Sequence, residues 1–472
     1  MTGLRFVDLF AGLGGFHVAL SELGHTCVFA CEINHELREI YKRNFSEVHS
    51  VTFGDIRESS DRIPAHDVLC AGFPCQPFSK SGYQNGHLDT RGTLFHEIVQ
   101  VLQTHRPRYV LLENVGNFEQ HAKGETWRVA KSSLRELGYQ VEATEHVKSG
   151  GLGLLSPHHF GFPHSRERFI AVAKLQESPI RVLPSPQRKA KSDLATVLQK
   201  QADLRPQDRD ETRLSLTQVE CVDHWNQLVR ALPTTRELPS FPIWGDEFGA
   251  SYPFETEIPA DLAVSRLLDC TRHLGATPEM ARTELLKLLP SYARAVEFPG
   301  WKVRFIRQNR EWYEQNQHFL PQGWVETLSR FAPSLRKLEW NCHGEERDLW
   351  AHVLQFRPSG LRAKRMTSIP ALVSLTTTQI PIIGPQKRFI SRVEALRLQG
   401  FPDNHELPAA RQAAFQALGN AVHVGTMKLI AARLLDESPE VQVHQQLSFD
   451  EELTHEEGSP TNGLLVHEAS AF

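Results

Sequence analysis

Short apolar runs alternate with stretches of helical period along the first 175 residues. RFVDLF (5–10) predicts a strand, AGLGG a turn, and FHVALSELG (16–24) a helix. In that helix Phe16, Ala19, Leu20 and Leu23 recur at i, i+3, i+4 and i+7, and Gly24 stands where the helix stops. TCVFA (26–30), VTFGD (51–55), DVLCA (67–71) and RYVLLE (108–113) predict four more strands. TLFHEIVQVLQTH (93–105) and ETWRVAKSSLRELG (125–138) read as helices, and a strand–loop–strand pattern follows through YQVEATEHVKS and RFIAVAKL. Strands alternating with helices predict an α/β chain built on a doubly wound, mostly parallel sheet.

From about residue 180 the texture changes. RVLPSPQRKAKSD (181–193) reads as a linker, and PADLAVSRLLDCTRHLG (259–275) and PEMARTELLKLLPSYARAV (278–296) as long helices. Residues 356–383 read as β-rich. From 386 the helical texture returns, with SRVEALRLQGFPD and ARQAAFQALGNAVHVGTMKLIAARLL predicting two helices. The organisation expected is therefore a catalytic and cofactor-binding part (1–180), an insert (181–385), a C-terminal return to the first part (386–435) and a tail (436–472).

Composition changes this picture in two places. The formal charge is −4, but residues 436–472 carry nine acids and no Lys or Arg, so the body of the chain is net positive by five charges. That acidic, Ser- and Gln-rich tail is expected to be disordered, and the basic body permits nucleic-acid binding. Seven cysteines (27, 31, 70, 75, 221, 270, 342) include no C-x-x-C pair, which argues against a disulfide scaffold or zinc ribbon. No metal is expected. There is no apolar run of roughly 18 residues and no basic leader at MTGLRFVDLF, so a cytoplasmic protein is expected.

Open parallel sheets bind ligands outside the carboxyl ends of their strands. Five unusual features fall there: the glycine turn 11–15, Glu32, Asp55, Cys75 in GFPCQPFS, and Glu113 in ENV. The turn carries Gly12, Gly14 and Gly15 with His17 in the place of a final glycine, so the dinucleotide fingerprint fails. Glu32, roughly 20 residues past the glycines, suits ribose hydroxyls. Asp55 has two open readings, an acceptor for an adenine amino group or a helix N-cap. Cys75 is either a buried apolar thiol or a nucleophile. Pro74 fixes the backbone before it, and Gln-Pro-Phe-Ser stops a strand from continuing, which favours the nucleophile. A buried Glu113 needs a partner, and a heterocycle offering N–H donors would supply one.

These residues resemble the carbon-5 cytosine DNA methyltransferases. DLFAGLGGF (8–16), GFPCQPFS (72–79), ENV (113–115), RERF (166–169), RVEALRLQGFPD (392–403) and LGNAV (418–422) are similar to that family's motifs in order and spacing. The likeness covers about 1–175 and 386–435. His164 departs from it, standing where the family usually has Gln. The resemblance implies the S-adenosylmethionine-dependent methyltransferase fold, with a target-recognition domain in the insert. It implies that Cys75 adds to carbon 6 of cytosine while Glu113 holds ring nitrogen 3 and the amino edge. Arg166 and Arg168 flank the base, with Arg168 on the carbonyl oxygen. Phe10, Leu13 and Gly15 would wrap S-adenosylmethionine, Glu32 take its ribose and Asp55 its adenine. Pro74, Leu94, Asn420 and Ala421 would complete that pocket. The target cytosine must leave the duplex, and residues 79–93 are expected to close over it with Ser81 and Arg91 facing double-stranded DNA.

For the insert the argument is chemical. Arg357, Arg362, Lys364 and Arg365 surround a Pro-Ser-Gly turn and suit phosphates and guanine edges, against the alternative of a solvated basic turn. Lys302, Arg304, Arg307 and Arg310 form a second basic set, equally readable as the charged face of a helix or strand. An RNA-directed relative would carry a Cys-Phe-Thr signature, which is absent. Amino-methylating enzymes would need Asp-Pro-Pro-Tyr or Asn-Pro-Pro-Tyr, also absent. The compact organisation suits a monomeric modification enzyme of a restriction–modification system, with a cognate endonuclease as its functional partner.

Overall fold

The computed structural model describes residues 3–74, 94–145, 152–186, 192–372 and 379–436. Its apolar runs assemble first into a seven-stranded sheet. The strands are β1 (Arg5–Leu9), β2 (Thr26–Cys31), β3 (Thr52–Phe53), β4 (Val68–Gly72), β5 (Tyr109–Val115), β6 (Tyr139–Ala143) and β8 (Arg168–Leu175), while a short β7 (His164–Ser165) stands apart. The order is β3-β2-β1-β4-β5-β8-β6. Pairings up to β4–β5 are parallel, and β8 runs antiparallel to both β5 and β6. This is the mostly parallel, doubly wound sheet of the methyltransferase fold.

Both faces of the sheet are covered, which is why its strands read as nearly continuous apolar runs. Successive side chains alternate between faces. Phe6, Val68, Cys70 and Leu111 join one core with Phe16, Ala19 and Leu20 of helix Gly15–Ser21 and Met427, Ile430 and Leu434 of helix Val424–Leu435. Val7, Leu9, Leu69, Ala71, Val110 and Leu112 face the other way, against helices Leu94–His105 and Glu125–Glu136. The C-terminal segment thus supplies one layer of the N-terminal sheet.

A second sheet holds β9 (Ile243–Trp244), β10 (Lys337–Asn341), β11 (Val353–Arg357), β12 (Gly360–Lys364), β14 (Ile382–Ile383) and β15 (Arg388–Phe389), in the order β15-β14-β11-β12-β10-β9. The remaining strand, β13 (Ile369–Pro370), pairs in parallel with β7, and the Ile369 N–H donates to the Pro163 carbonyl at 2.8 Å. Helices Val264–Thr271, Arg282–Leu288 and Gly300–Asn316 enclose a third, smaller core containing Leu267, Leu285 and Ile306.

Several expected elements come out differently. The single helix expected over 410–435 is two, Arg411–Asn420 and Val424–Leu435. Ala421 leaves helical geometry (ψ 146°), and His423 caps the second helix by accepting the Thr426 N–H at 3.0 Å. The long helices of the insert are short ones flanked by 3-10 turns. Leu289 is extended because Pro290 follows it, which ends the helix Arg282–Leu288. Residues 300–316 are helical. The expected linker at 181–193 is tied down where it is described: Val182 and Leu183 are buried and both donate to Glu142 Oε2, at 2.6 and 3.1 Å. The acidic tail and the expected lid at 79–93 lie outside the described residues. Among the described residues no helix is long and apolar enough to cross a membrane.

Candidate active site

The carboxyl ends of β1 to β5 open onto a cavity of about 630 Å³. Its position is the switch point of the sheet, where β1 is flanked by β2 on one side and β4 on the other. The turn after β1 is built from left-handed backbone: Phe10 (φ 59°), Gly12 (φ 55°) and Gly14 (φ 82°). Gly14 has a second constraint, since a Cβ there would stand 2.3 Å from the Phe45 ring. The Gly12 N–H donates to Glu32 Oε2 at 2.9 Å, and Glu32 Oε1 accepts from the Asn34 N–H at 2.7 Å. Glu32 is thereby fixed at the end of β2 with lone pairs on both oxygens still open to a ligand.

Asp55 takes the helix-capping role, accepting the Arg57 N–H at 3.0 Å ahead of the short helix Ile56–Ser59, and stands on the cavity wall as well. The hydrogen bond and charge of Arg57 hold its carboxyl below the usual range. Ile33, next to Glu32, lies on the cavity lip with 67% of its surface exposed. Sequence reasoning passed over it because a lone exposed aliphatic carries no pattern.

At the other end of the cavity stands Glu113, 6% exposed. Its Oε1 lies 3.0 Å from Arg168 Nε, yet that oxygen has no donor in hydrogen-bonding alignment. Burial raises the carboxyl above its ordinary value, against the opposing pull of Arg168 and then Arg166. The β5–β8 pairing produces this contact, since Val115 faces Arg168 in the ladder. Asn114, beside Glu113, is buried and donates from Nδ2 to the Phe73 carbonyl at 2.9 Å. It therefore holds the backbone that leads to Pro74 and Cys75, a role hidden in the ENV motif.

The cavity brings together Phe10, Glu32, Asp55, Pro74, Leu94, Glu113, Arg166, Arg168, Asn420 and Ala421. Two expected cofactor residues are not on its wall. The Leu13 side chain is buried in the core, and its carbonyl lies 2.9 Å from His405 Nε2. Gly15 faces Val422, where a Cβ would come within 2.5 Å of Val422 Cγ2. Both pack behind that wall, and the turn that carries them meets the cavity through Ala11 and Gly12. Conversely, Ala371 and Leu372 reach the cavity from beyond β13. Cys75, Ser81 and Arg91 lie outside the described residues.

His164 is fully buried with no hydrogen-bonding partner at either ring nitrogen, and burial pushes its pKa well down. In the insert, Arg357 and Arg362 converge on Glu339 from β11 and β12, at 3.3 and 2.8 Å, and Arg365 pairs with Glu345 at 3.2 Å. Lys364 ends β12. The second basic set is largely engaged by segments packed around the helix that carries it. Lys302 donates to the Tyr292 carbonyl, Arg307 pairs with Glu255, Arg310 pairs with Glu247, and Arg304 lies over the Phe305 ring.

The site thus joins a carboxylate pair at one end of the cavity of a doubly wound sheet to a buried Glu–Arg pair at the other. The family model for C-5 cytosine-specific DNA methylase matches residues 4–236 and 299–436. The chain belongs to that family and is a DNA (cytosine-5) methyltransferase. It is 32% identical to the type II methyltransferase M.AluI of Cellulosimicrobium cellulans, over 90% of each chain. It is 29% identical to M.HgiCI of Herpetosiphon aurantiacus, over 90% of this chain and 96% of that one. M.HhaI of Haemophilus parahaemolyticus is 44% identical over 36% of this chain and 49% of its own. Among solved structures, Schizosaccharomyces pombe Dnmt2 covers 92% of this chain and 98% of its own, at 16% identity and a TM-score of 0.41. Residues 237–298 fall outside the family match.

Proposed function

We propose that the protein transfers a methyl group from S-adenosylmethionine to carbon 5 of a cytosine flipped out of double-stranded DNA, through a covalent adduct with Cys75. The observation that carries the reading is Glu113, a buried carboxyl with a raised pKa and an unmatched oxygen, in the same cavity as Glu32 and Asp55. The two ends suit two ligands. Glu32 and Asp55, with Ile33 at the lip, suit the hydroxyls, amino group and flat face of an adenosine. Glu113 and Arg168 suit the polar edge of a pyrimidine.

Carbon 5 of cytosine is too weak a nucleophile to react unaided. The Cys75 thiolate would add to carbon 6, and the ring electrons would move toward nitrogen 3. A carboxyl whose pKa is raised by burial keeps its proton to higher pH than an exposed one and can present it there. Arg168 would neutralise charge on the carbonyl oxygen, a stabilisation that grows in a water-poor site. The bound cofactor supplies an electrophilic methyl group to the resulting enamine. Loss of the carbon-5 proton then expels the thiolate and restores the ring. Such chemistry requires the base outside the helix, since stacked neighbours cover both its faces.

Ser81 and Arg91 are assigned to the DNA side of the catalytic part, and Arg357, Arg362, Lys364 and Arg365 to that of the insert. The type II relatives support a role in a restriction–modification system, in which methylation shields cytoplasmic host DNA from a cognate endonuclease. The enzyme would act as a monomer. Bisulfite sequencing of plasmid from a methylation-deficient host expressing the protein tests the reading. Protected cytosines within one short repeated motif, lost in Cys75→Ser, are expected. Unprotected DNA from soluble protein that still binds S-adenosylmethionine would overturn it.

A further inference from the structure

Arg166 and Arg168 are two residues apart, Arg168 opening β8, and both touch the cavity, yet their guanidinium groups are engaged differently. Arg168 reaches Glu113. Arg166 is 1% exposed and donates from Nη1 to the Gly419 carbonyl at 2.8 Å and from Nη2 to the Ala421 carbonyl at 2.7 Å. These acceptors are more than 250 residues away in sequence and bracket Asn420, where the first C-terminal helix ends. Both are main-chain carbonyls freed by that helix break, so the fork of Arg166 satisfies acceptors that the helix itself abandons.

The same turn is fastened at a third point. Gln399 Nε2 donates to the Leu418 carbonyl. On the other side of the turn, Val422 is wedged against Gly15 at the start of the first helix. Asn420 and Ala421 occupy the cavity wall between these supports. The Arg166 main-chain N–H is itself held by Ser156 Oγ at 2.8 Å, so the clamp has a fixed base.

We infer that Arg166 is a positioning residue for the cofactor end of the site: it clamps the 419–421 turn so that Asn420 and Ala421 complete the wall against which the cofactor lies. The inference rests on the methyl-transfer reading and departs from it in one respect, by moving Arg166 away from the base. Lysine cannot replace the fork, because a single ammonium does not span two carbonyls two residues apart with matched geometry.

The test compares purified wild type, Arg166→Lys and Gln399→Leu by calorimetric titration with S-adenosylhomocysteine and by single-turnover methyl transfer to duplex DNA at saturating S-adenosylmethionine. Arg166→Lys is expected to raise the dissociation constant by about tenfold or more, as for loss of a charge-assisted hydrogen bond, with the single-turnover rate within about threefold of wild type. Gln399→Leu is expected to shift affinity the same way by a smaller factor. An unchanged dissociation constant with a collapsed single-turnover rate in Arg166→Lys would place the residue on the base and overturn the inference. Should Arg166→Lys fail to fold, a folded Gln399→Leu with wild-type affinity overturns it instead. A wild type that binds no S-adenosylhomocysteine overturns the methyl-transfer reading rather than this one.

Discussion

Two buried glutamates, one in each half of the molecule, face opposite fates. Glu247, at the root of the helical region, has both oxygens occupied: Oε1 accepts from the Tyr252 and Tyr292 hydroxyls, and Oε2 meets Arg310 Nε at 2.9 Å. Glu113, at the end of β5, faces an arginine at a similar distance but keeps one oxygen without an aligned donor. A buried charge costs free energy unless its hydrogen-bonding capacity is met. The first site meets it from within and so holds a fold together. The second leaves it unmet and so is shaped for a ligand.

Breaking each pair should therefore give opposite signatures, and the largest effect belongs to Glu113. Glu113→Gln is expected to lower the single-turnover methylation rate by on the order of 10²–10³-fold, the scale seen when a group aimed at developing charge is removed. Its melting temperature should be no lower than that of wild type. The next effect runs the other way. Glu247→Gln leaves the partly buried Arg310 without its counter-charge and is expected to destabilise the fold by about 3 kcal/mol in urea unfolding, with cofactor affinity unchanged in the surviving folded protein. A stable Glu247→Gln, or an active Glu113→Gln, would erase the distinction between the two sites.

The two halves also differ in how much of them could be read from the chain. The rim of the sheet was legible because each strand ends on a polar residue where an apolar one would otherwise continue: Glu32, Asp55, Glu113. Continuous apolar runs broken by a charge, together with short glycine turns, report those ends directly. Leu13 and Gly15 stay behind the cavity wall because a glycine-rich turn signals close approach without saying what approaches: His405 meets the Leu13 carbonyl and Val422 packs on Gly15. The break at Ala421 was invisible because LGNAVHVG contains no proline, and the carbonyls it frees are met by Arg166, some 250 residues away. Ala371 and Leu372 reach the cavity through a two-residue ladder with β7, which no local pattern announces. In the insert, helices are cut short where the backbone turns extended, at Leu262 and at Leu289 before Pro290, so a periodicity reading overextends them.

A smaller effect separates the two basic segments. Arg365 stands just past the end of β12 in a half-exposed pair with Glu345, and exposed pairs are weak enough to be exchanged for a phosphate. Arg307 is equally half-exposed in its pair with Glu255 at 2.7 Å, and what sets it apart is its place in the helical region, which also carries Glu247 and Glu257. Arg365→Ala is expected to weaken duplex binding several-fold and to reduce the slope of log K against log salt by about one, as for loss of one phosphate contact. Arg307→Ala should leave both unchanged in fluorescence-anisotropy titrations. Equal losses would move the DNA surface onto the helical region.

The smallest effect is a pH dependence, and it follows from the sign of the Glu113 shift. Burial raises the folded-state pKa of this carboxyl above its value in the unfolded chain. Between those two values the folded state binds the extra proton, so stability falls as pH rises through that window. Below the unfolded value, near 4.3, both states are protonated and Glu113 exerts no pull. Above the folded value the ionised carboxylate weakens the fold by its full amount. Glu113→Gln carries no such proton, so the variant should gain stability over wild type with rising pH and converge with it in acid. Urea unfolding of both proteins across pH 4 to 8 reads this directly. Parallel stability curves would mean that Arg168 compensates the buried charge completely, and Glu113 would then resemble Glu247 after all.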